Sequence, residues 1–178
     1  MLAIHELDLV FAALDRRIRV KRGRLLSLDD VTDNNLVFVG SPLENLTLRD
    51  ISTTSHFRFG PITDPSGRKS YGVRNLRLAP GEQPVYVRAP GRPSIDDYCI
   101  IALIPAIRPP HWVLLLAGTT TMGTQAAVEY VCRASTLATL MQRLGRAGAA
   151  KPFEAMLHAN VKRGVPVDSE IVAIRAEH

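Results

Sequence analysis

The sequence predicts an α/β fold: a Rossmann-like, mixed and mainly parallel sheet flanked by helices. Three observations point there. Leu36 to Val39 is a continuous apolar run closed by Gly40-Ser41-Pro42, residues 98–104 and 112–117 are two more, and the last of these passes through Gly and Thr into an Ala-rich helical stretch. Runs without polar alternation suit strands covered on both faces, which is the habit of parallel sheets. At 178 residues the chain is about the length of one domain. Residues 1–178 are therefore read as a single α/β domain, with an irregular β-rich excursion over 60–93 and a C-terminal β-hairpin.

The elements follow in order. Leu2, Leu7, Leu9, Val10, Ala13 and Leu14 recur at helical spacing between acids, so the chain opens with an amphipathic helix ending near Arg16. Arg17-Ile18-Arg19-Val20-Lys21 alternates charge with β-branched residues and predicts a half-exposed strand with Ile18 and Val20 inward. Ser27, followed by Asp29 and Asp30, reads as the cap of a short helix. Residues 36–39 are expected to form a central strand, 43–51 a short helix, 57–59 a brief strand, and 60–67 a turn-rich stretch. Val73, Leu76, Leu78, Val85 and Val87 fall in short extended pieces broken by Pro80-Gly81. Two strands, 98–104 and 112–117, are joined by a proline-punctuated connection. Helices over 122–132 and 135–144 follow, with Ser135 as N-cap of the second, and strands over 153–161 and 167–174 close the chain. The two-sided cover expected of the apolar runs would nearly bury Val37, Phe38, Val39, Ile100, Ile101, Leu103, Leu114, Leu115 and Leu116.

Composition narrows function. Hydrophobic residues are 46% and charged residues 22%, ordinary for a globular protein. The first 24 residues run from acidic to basic with no apolar core, the reverse of a signal peptide, and no apolar run is long enough for a bilayer span. These points predict a soluble, cytoplasmic protein without a membrane partner. Cys99 and Cys132 lack any CxxC or Cys/His ligand spacing, so no metal is expected; they read as packed thiols, with one structural disulfide left open. The net charge of +5 raises acidic partners, but the arginines are dispersed and aromatics are 6%, which argues against nucleic acid.

The candidate binding residues lie at two turns. Gly118-Thr119-Thr120-Thr121-Met122-Gly123-Thr124 joins a buried strand to a helix. Glycines allow close backbone approach, hydroxyls donate hydrogen bonds, and the first helical turn offers unpaired N–H groups to phosphate or carboxylate. Gly40 and Ser41, with Asn45 beyond, follow the other strand. If the two strands are parallel neighbours, both turns share one sheet edge and Gly40, Ser41, Asn45, Gly118, Thr119 and Thr124 line one crevice. The competing structural reading makes Gly118 a turn, Thr121 or Thr124 a cap, and Pro42 the first residue of a helix. No lysine follows a glycine there and no GxGxxG is spelled.

A buried strand ending in Gly40-Ser41, paired with a later strand ending in Ala117-Gly118-Thr119 and followed by Gly123-Thr124, resembles Rossmann-like nucleotide-binding and nucleotide-sensing domains of the SLOG type. The resemblance covers the two turns. It implies binding of a nucleotide or other phosphate-bearing small molecule. That family's late motif is similar to Gly-Gly-x-Gly-Thr with a glutamate three residues on; here Glu129 falls five residues after Thr124, so the N-glycoside-hydrolysing part of the pattern is not matched.

No catalytic set stands beside these turns. His5, His56, His111, His158 and His178 are isolated in sequence, and Asp96-Asp97 reads as a solvated pair at a strand start. The expectation is non-enzymatic, cofactor-free binding or sensing of a nucleotide-like or other anionic small molecule, as in a regulatory domain. The alternative is a protein-interaction or oligomerisation module, part of a larger regulator. A small hydrolase or transferase using Asp96, Asp97 or Glu129 is a third class. The densest charge, Arg16, Arg17, Arg19, Lys21, Arg22 and Arg24, reads either as a contact surface or as a strand edge protected by charge.

Overall fold

The computed structural model describes residues 2–40, 54–63, 67, 69–89, 94–145 and 151–176. In chain order the elements are α1 (Leu2–Ala13), a 3-10 turn (Gly23–Leu25), α2 (Leu28–Thr32), β1 (Leu36–Val39), β2 (Phe57–Thr63), β3 (Lys69–Asn75), β4 (Val85–Val87), β5 (Ile95–Pro105), β6 (Trp112–Gly118), α3 (Thr121–Cys132), α4 (Ala134–Arg143), β7 (Phe153–Lys162) and β8 (Val165–Ala176). The predicted 43–51 helix lies outside the described residues, as do Ser41 and Asn45.

Two sheets form. The larger has the order β1-β6-β5-β7-β8 and the smaller the order β2-β3-β4. Among the described residues only β1 with β6 is parallel; β5 is antiparallel to β6 and β7, β7 to β8, and the small sheet is antiparallel throughout. The expected mainly parallel, Rossmann-like sheet flanked by helices is thus corrected to a mainly antiparallel, β-rich α/β fold. The physical reason lies in cover. Along β5, Cys99 and Ile101 enter a core with α1 and α3, whereas Ile100, Ala102 and Ile104 enter a second core with Phe57, Val73 and Tyr86 of the small sheet. Helices cover one face and a second sheet covers the other, so the apolar run needs no crossover helix. The connection between β5 and β6, residues 106–111, is also far short of the roughly dozen residues a parallel crossover takes.

The edge strand corrects a second expectation. β1 ends the sheet order and is not central. Phe38 is buried at 4% exposure while Val37 is 37% exposed, and Val39 is intermediate, as are Leu103 and Leu114. Ile100, Ile101, Leu115 and Leu116 are buried as expected. The 17–21 segment is no strand, and Val20 is 61% exposed. The excursion is more regular than its sequence, since Gly60 lies within β2 and pairs with Gly72. At Gly72 a Cβ would lie 2.5 Å from the Tyr86 carbonyl oxygen, so the close strand approach requires glycine.

Local chemistry sets the ends. Asp15 (φ 54°) lets Arg16 N–H donate to the Phe11 carbonyl at 2.8 Å, closing α1. Ser27 and Asp30 form a capping box at α2, and α4 begins at Ala134 with Arg133 in the cap position instead of Ser135. The β7–β8 hairpin turns through Arg163 (φ 52°) and Gly164 (φ 78°), as a tight two-residue hairpin turn demands.

The sheets are clasped at one end by a buried carboxylate and a half-buried ion pair. Glu154 of β7 accepts hydrogen bonds from the main-chain N–H groups of Ser55 (2.6 Å), His56 (3.0 Å) and Phe57 (3.0 Å) and from the Ser55 hydroxyl (3.0 Å). Arg175 of β8 grips both carboxylate oxygens of Glu82 and lies 5.4 Å from the Phe57 ring centroid. The Arg175 hydrogen bonds hold the Glu82 carboxyl down to about 2 from its ordinary 4.5.

Two outcomes follow. Ile101→Ala should cost about 2–5 kcal/mol in urea unfolding, and Val37→Ala about 0.5 kcal/mol or less; equal losses would contradict the placement of β1 at the edge. Because the folded state depresses Glu82, its stabilisation is present above 4.5 and is lost as pH falls toward about 2. Glu82→Gln should flatten that part of the acid-unfolding profile.

Candidate functional site

The turn after β6 is built from the chain's own groups. Thr120 is the N-cap of α3 and its hydroxyl accepts from the N–H groups of Met122 (3.1 Å) and Gly123 (3.4 Å). Thr124 Oγ1 accepts from Gly118 N–H at 3.1 Å and donates to the Thr120 carbonyl. Thr119 N–H donates to the Tyr98 carbonyl at 2.9 Å. Thr121 is exposed on the first turn of α3.

At the centre sits a residue that sequence reasoning assigned to a solvated turn. Asp97 lies within β5 and is 1% exposed. Its carboxylate accepts from Gly123 N–H (3.0 Å), from Tyr98 N–H (2.9 Å) and from the hydroxyls of Thr119 and Thr120. A helix N-terminus favours an anion, and here that anion is Asp97. Burial, and then the Asp97 charge, push the Cys99 thiol well above its ordinary range. The only sequence signal was an acid beside Tyr98 and Cys99 at the start of an apolar run, with the Thr-rich turn placed later in the chain.

The glycines have the same explanation. A Cβ on Gly118 would lie 2.2 Å from Thr124 N, and one on Gly123 would lie 2.9 Å from the Tyr98 carbonyl oxygen and 3.2 Å from the Asp97 carboxyl. Both positions are closed by close packing of β5, β6 and α3 against one another. Gly40 differs: it has φ 134°, and nothing lies within 4 Å of where its Cβ would be. Its N–H donates to the Leu116 carbonyl at 3.1 Å, so the two glycine turns do lie at the same end of the parallel pair β1–β6. Ser41 and Asn45 lie outside the described residues.

A groove of 840 Å³ runs along the other side of β1, within the usual size of binding clefts. Its walls are α1 through Leu7 and Phe11, the arm over residues 16–23, and β1 itself. Asp30, buried at 7% exposure, fixes the arm: it accepts from Lys21 (2.6 Å), Arg19 (3.0 Å) and Ser27, and those bonds hold its carboxyl well below the usual carboxylate range. Arg16, Arg17 and Arg22, all exposed, line the same groove and form no ion pair among the described residues. One acid thus answers two of the five cations on this arm, leaving the wall positive.

Glu129, Asp96 and His158 are engaged by partners. Glu129 accepts from the Gln125 side chain at 2.7 Å, and Asp96 pairs with His158 Nε2 at 2.9 Å. Cys99 and Cys132 are free thiols, and burial pushes Cys132 up to about 11. Among the described residues no group of His, Cys, Asp and Glu could hold a metal, and no helix is long and apolar enough to cross a membrane.

Asp97→Ala would leave several buried donors without an acceptor, each costing about 1–3 kcal/mol. A total loss of about 3 kcal/mol or more is expected in urea unfolding, and about 1–2 kcal/mol for Asp97→Asn, which keeps the shape and loses the charge at the helix end. A loss below about 1 kcal/mol for Asp97→Ala would contradict the clamp. Compared with known proteins, the chain matches no family model, no curated sequence and no solved structure, so the functional reading rests on this geometry.

Proposed function

We propose that this chain is a protein-interaction module that takes an acidic partner on the groove between α1, the basic arm and β1. The observation that carries the reading is the set of cations, Arg16, Arg17 and Arg22, that have no ion pair among the described residues and line that groove beside an edge strand. A concave surface with one sign of charge raises the local concentration of an oppositely charged partner and speeds its docking. A nucleic-acid partner is less well served: of the groove's two aromatic side chains, Phe11 is half-buried and Phe38 is buried, leaving no open ring on which a base could stack.

A small anionic ligand at the glycine turns is the second reading. It draws support from their shared sheet end and from the open space at Gly40. It is weakened by Asp97, whose negative charge already occupies the end of α3.

The test is selection from displayed random octapeptides against the intact chain and against Arg16→Glu/Arg17→Glu/Arg22→Glu. Acidic peptides should be enriched, their affinity should fall with added salt, and the charge reversal should weaken them by about tenfold or more. Enrichment of neutral or basic peptides, or binding indifferent to the reversal, would overturn the reading. Tight binding of single-stranded DNA in place of peptide would do so as well.

A further inference from the structure

The phase of the β1 backbone adds a second property to the groove. Gly40 N–H points to β6, where it meets the Leu116 carbonyl. Along a strand the main-chain groups of successive residues point to opposite sides. The N–H and C=O groups of Phe38 therefore face β6 with those of Leu36, and those of Val37 and Val39 face away, into the groove. Nothing among the described residues bonds to them: β1 is the last strand of its sheet, and no hydrogen bond reaches its outer side. The opposite wall shows the same feature, since the main chain of residues 17–21 forms no hydrogen bond among the described residues.

An edge strand left in this condition is a template for another chain, and proteins usually blunt it with charge, a bulge or a covering element. The charges here do not sit on the strand. Leu36, Val37, Phe38 and Val39 are all apolar, and the cations lie on the facing arm. Such a placement leaves the edge receptive and selects by sign what can approach it. A cationic or apolar segment would gain no attraction from Arg16, Arg17 and Arg22, whereas an acidic one would neutralise them.

Resting on the interaction-module reading, we propose that the groove is filled by an extended acidic segment of a partner protein, which adds to the free edge of β1 as a further strand. Its main chain pairs with the N–H and C=O groups of Val37 and Val39, and its acidic side chains meet the arm. This is recognition by strand addition, in which backbone hydrogen bonds supply affinity and side-chain pockets supply selectivity.

The experiment uses one acidic octapeptide enriched as above and a set of its copies carrying a single N-methyl group at each position in turn. Proline at position 37 removes the outward donor and leaves the inward ladder intact, a substitution edge strands tolerate. Strand addition predicts that N-methylation at alternate peptide positions weakens binding by about tenfold and is silent between them. Val37→Pro should weaken binding comparably, with unfolding unchanged, and Val37→Thr should leave it intact. The Val37 and Val39 amides should exchange quickly in the free protein and slow down when peptide is added.

Binding that remains acidic and Arg-dependent but tolerates every N-methyl group would overturn strand addition while leaving the interaction-module reading in place. Loss of all charge dependence would overturn both. Slow exchange of the two amides in the free chain would overturn the proposal by showing that the chain itself covers the edge. Concentration-dependent dimerisation abolished by Val37→Pro would overturn it in favour of a second copy.

Discussion

Two-sided burial of β5 from Cys99 to Ile104 is the constraint from which the other features of this chain follow, because a stretch packed on both faces must find cover above and below for its residues in turn. Cys99, Ile101 and, more loosely, Leu103 take α1 and α3 as cover; Ile100, Ala102 and Ile104 take the small sheet. The same burial extends back along the strand to Asp97, where the side chain is a carboxylate. A buried charge must be hydrogen-bonded or it destabilises the fold severely. Asp97 meets that requirement by taking the N-terminus of α3 and two threonine hydroxyls. The close contact of β5, β6 and α3 then excludes any side chain at positions 118 and 123.

This internal solution leaves the end of α3 satisfied by the chain itself. A strand-to-helix turn with an open N-terminus is an anion site, and the same turn closed by a native carboxylate is a joint. What is left with unmet valence among the described residues is the opposite flank of the parallel pair, where β1 has no outer neighbour and the arm carries more positive charge than Asp30 offsets. The two flanks are linked through the fold. β1 pairs in parallel with β6, and β6 leads directly into the turn that Asp97 secures.

Much of the element order was legible in the sequence, and the reasons for the misses are specific. The apolar runs at 98–104 and 112–117, the helix after the threonines, and the hairpin around Arg163-Gly164 all announced themselves through periodicity and turn residues. Sheet direction did not, because an apolar run reports cover on two faces without saying whether helices or a second sheet provide it. The length of the 106–111 connection did carry that information. For the site, the glycines and threonines were visible, but their partner was not: Asp97 reaches them through the β5–β6 register, a pairing that no local pattern encodes. The basic arm was visible as charge, and its position facing an open edge strand was not.

The measurement that bears most directly on this account is an amide chemical-shift titration of the isotope-labelled chain, run separately with an acidic octapeptide and with a nucleoside triphosphate. With the peptide, the account predicts shifts at residues 16–22 and at Val37 and Val39, with Gly118, Thr119 and Gly123 unmoved, and no saturable shifts with the nucleotide. Saturable movement of Gly118, Thr119 and Gly123 on nucleotide addition, with the arm and the β1 edge silent toward peptide, would contradict it.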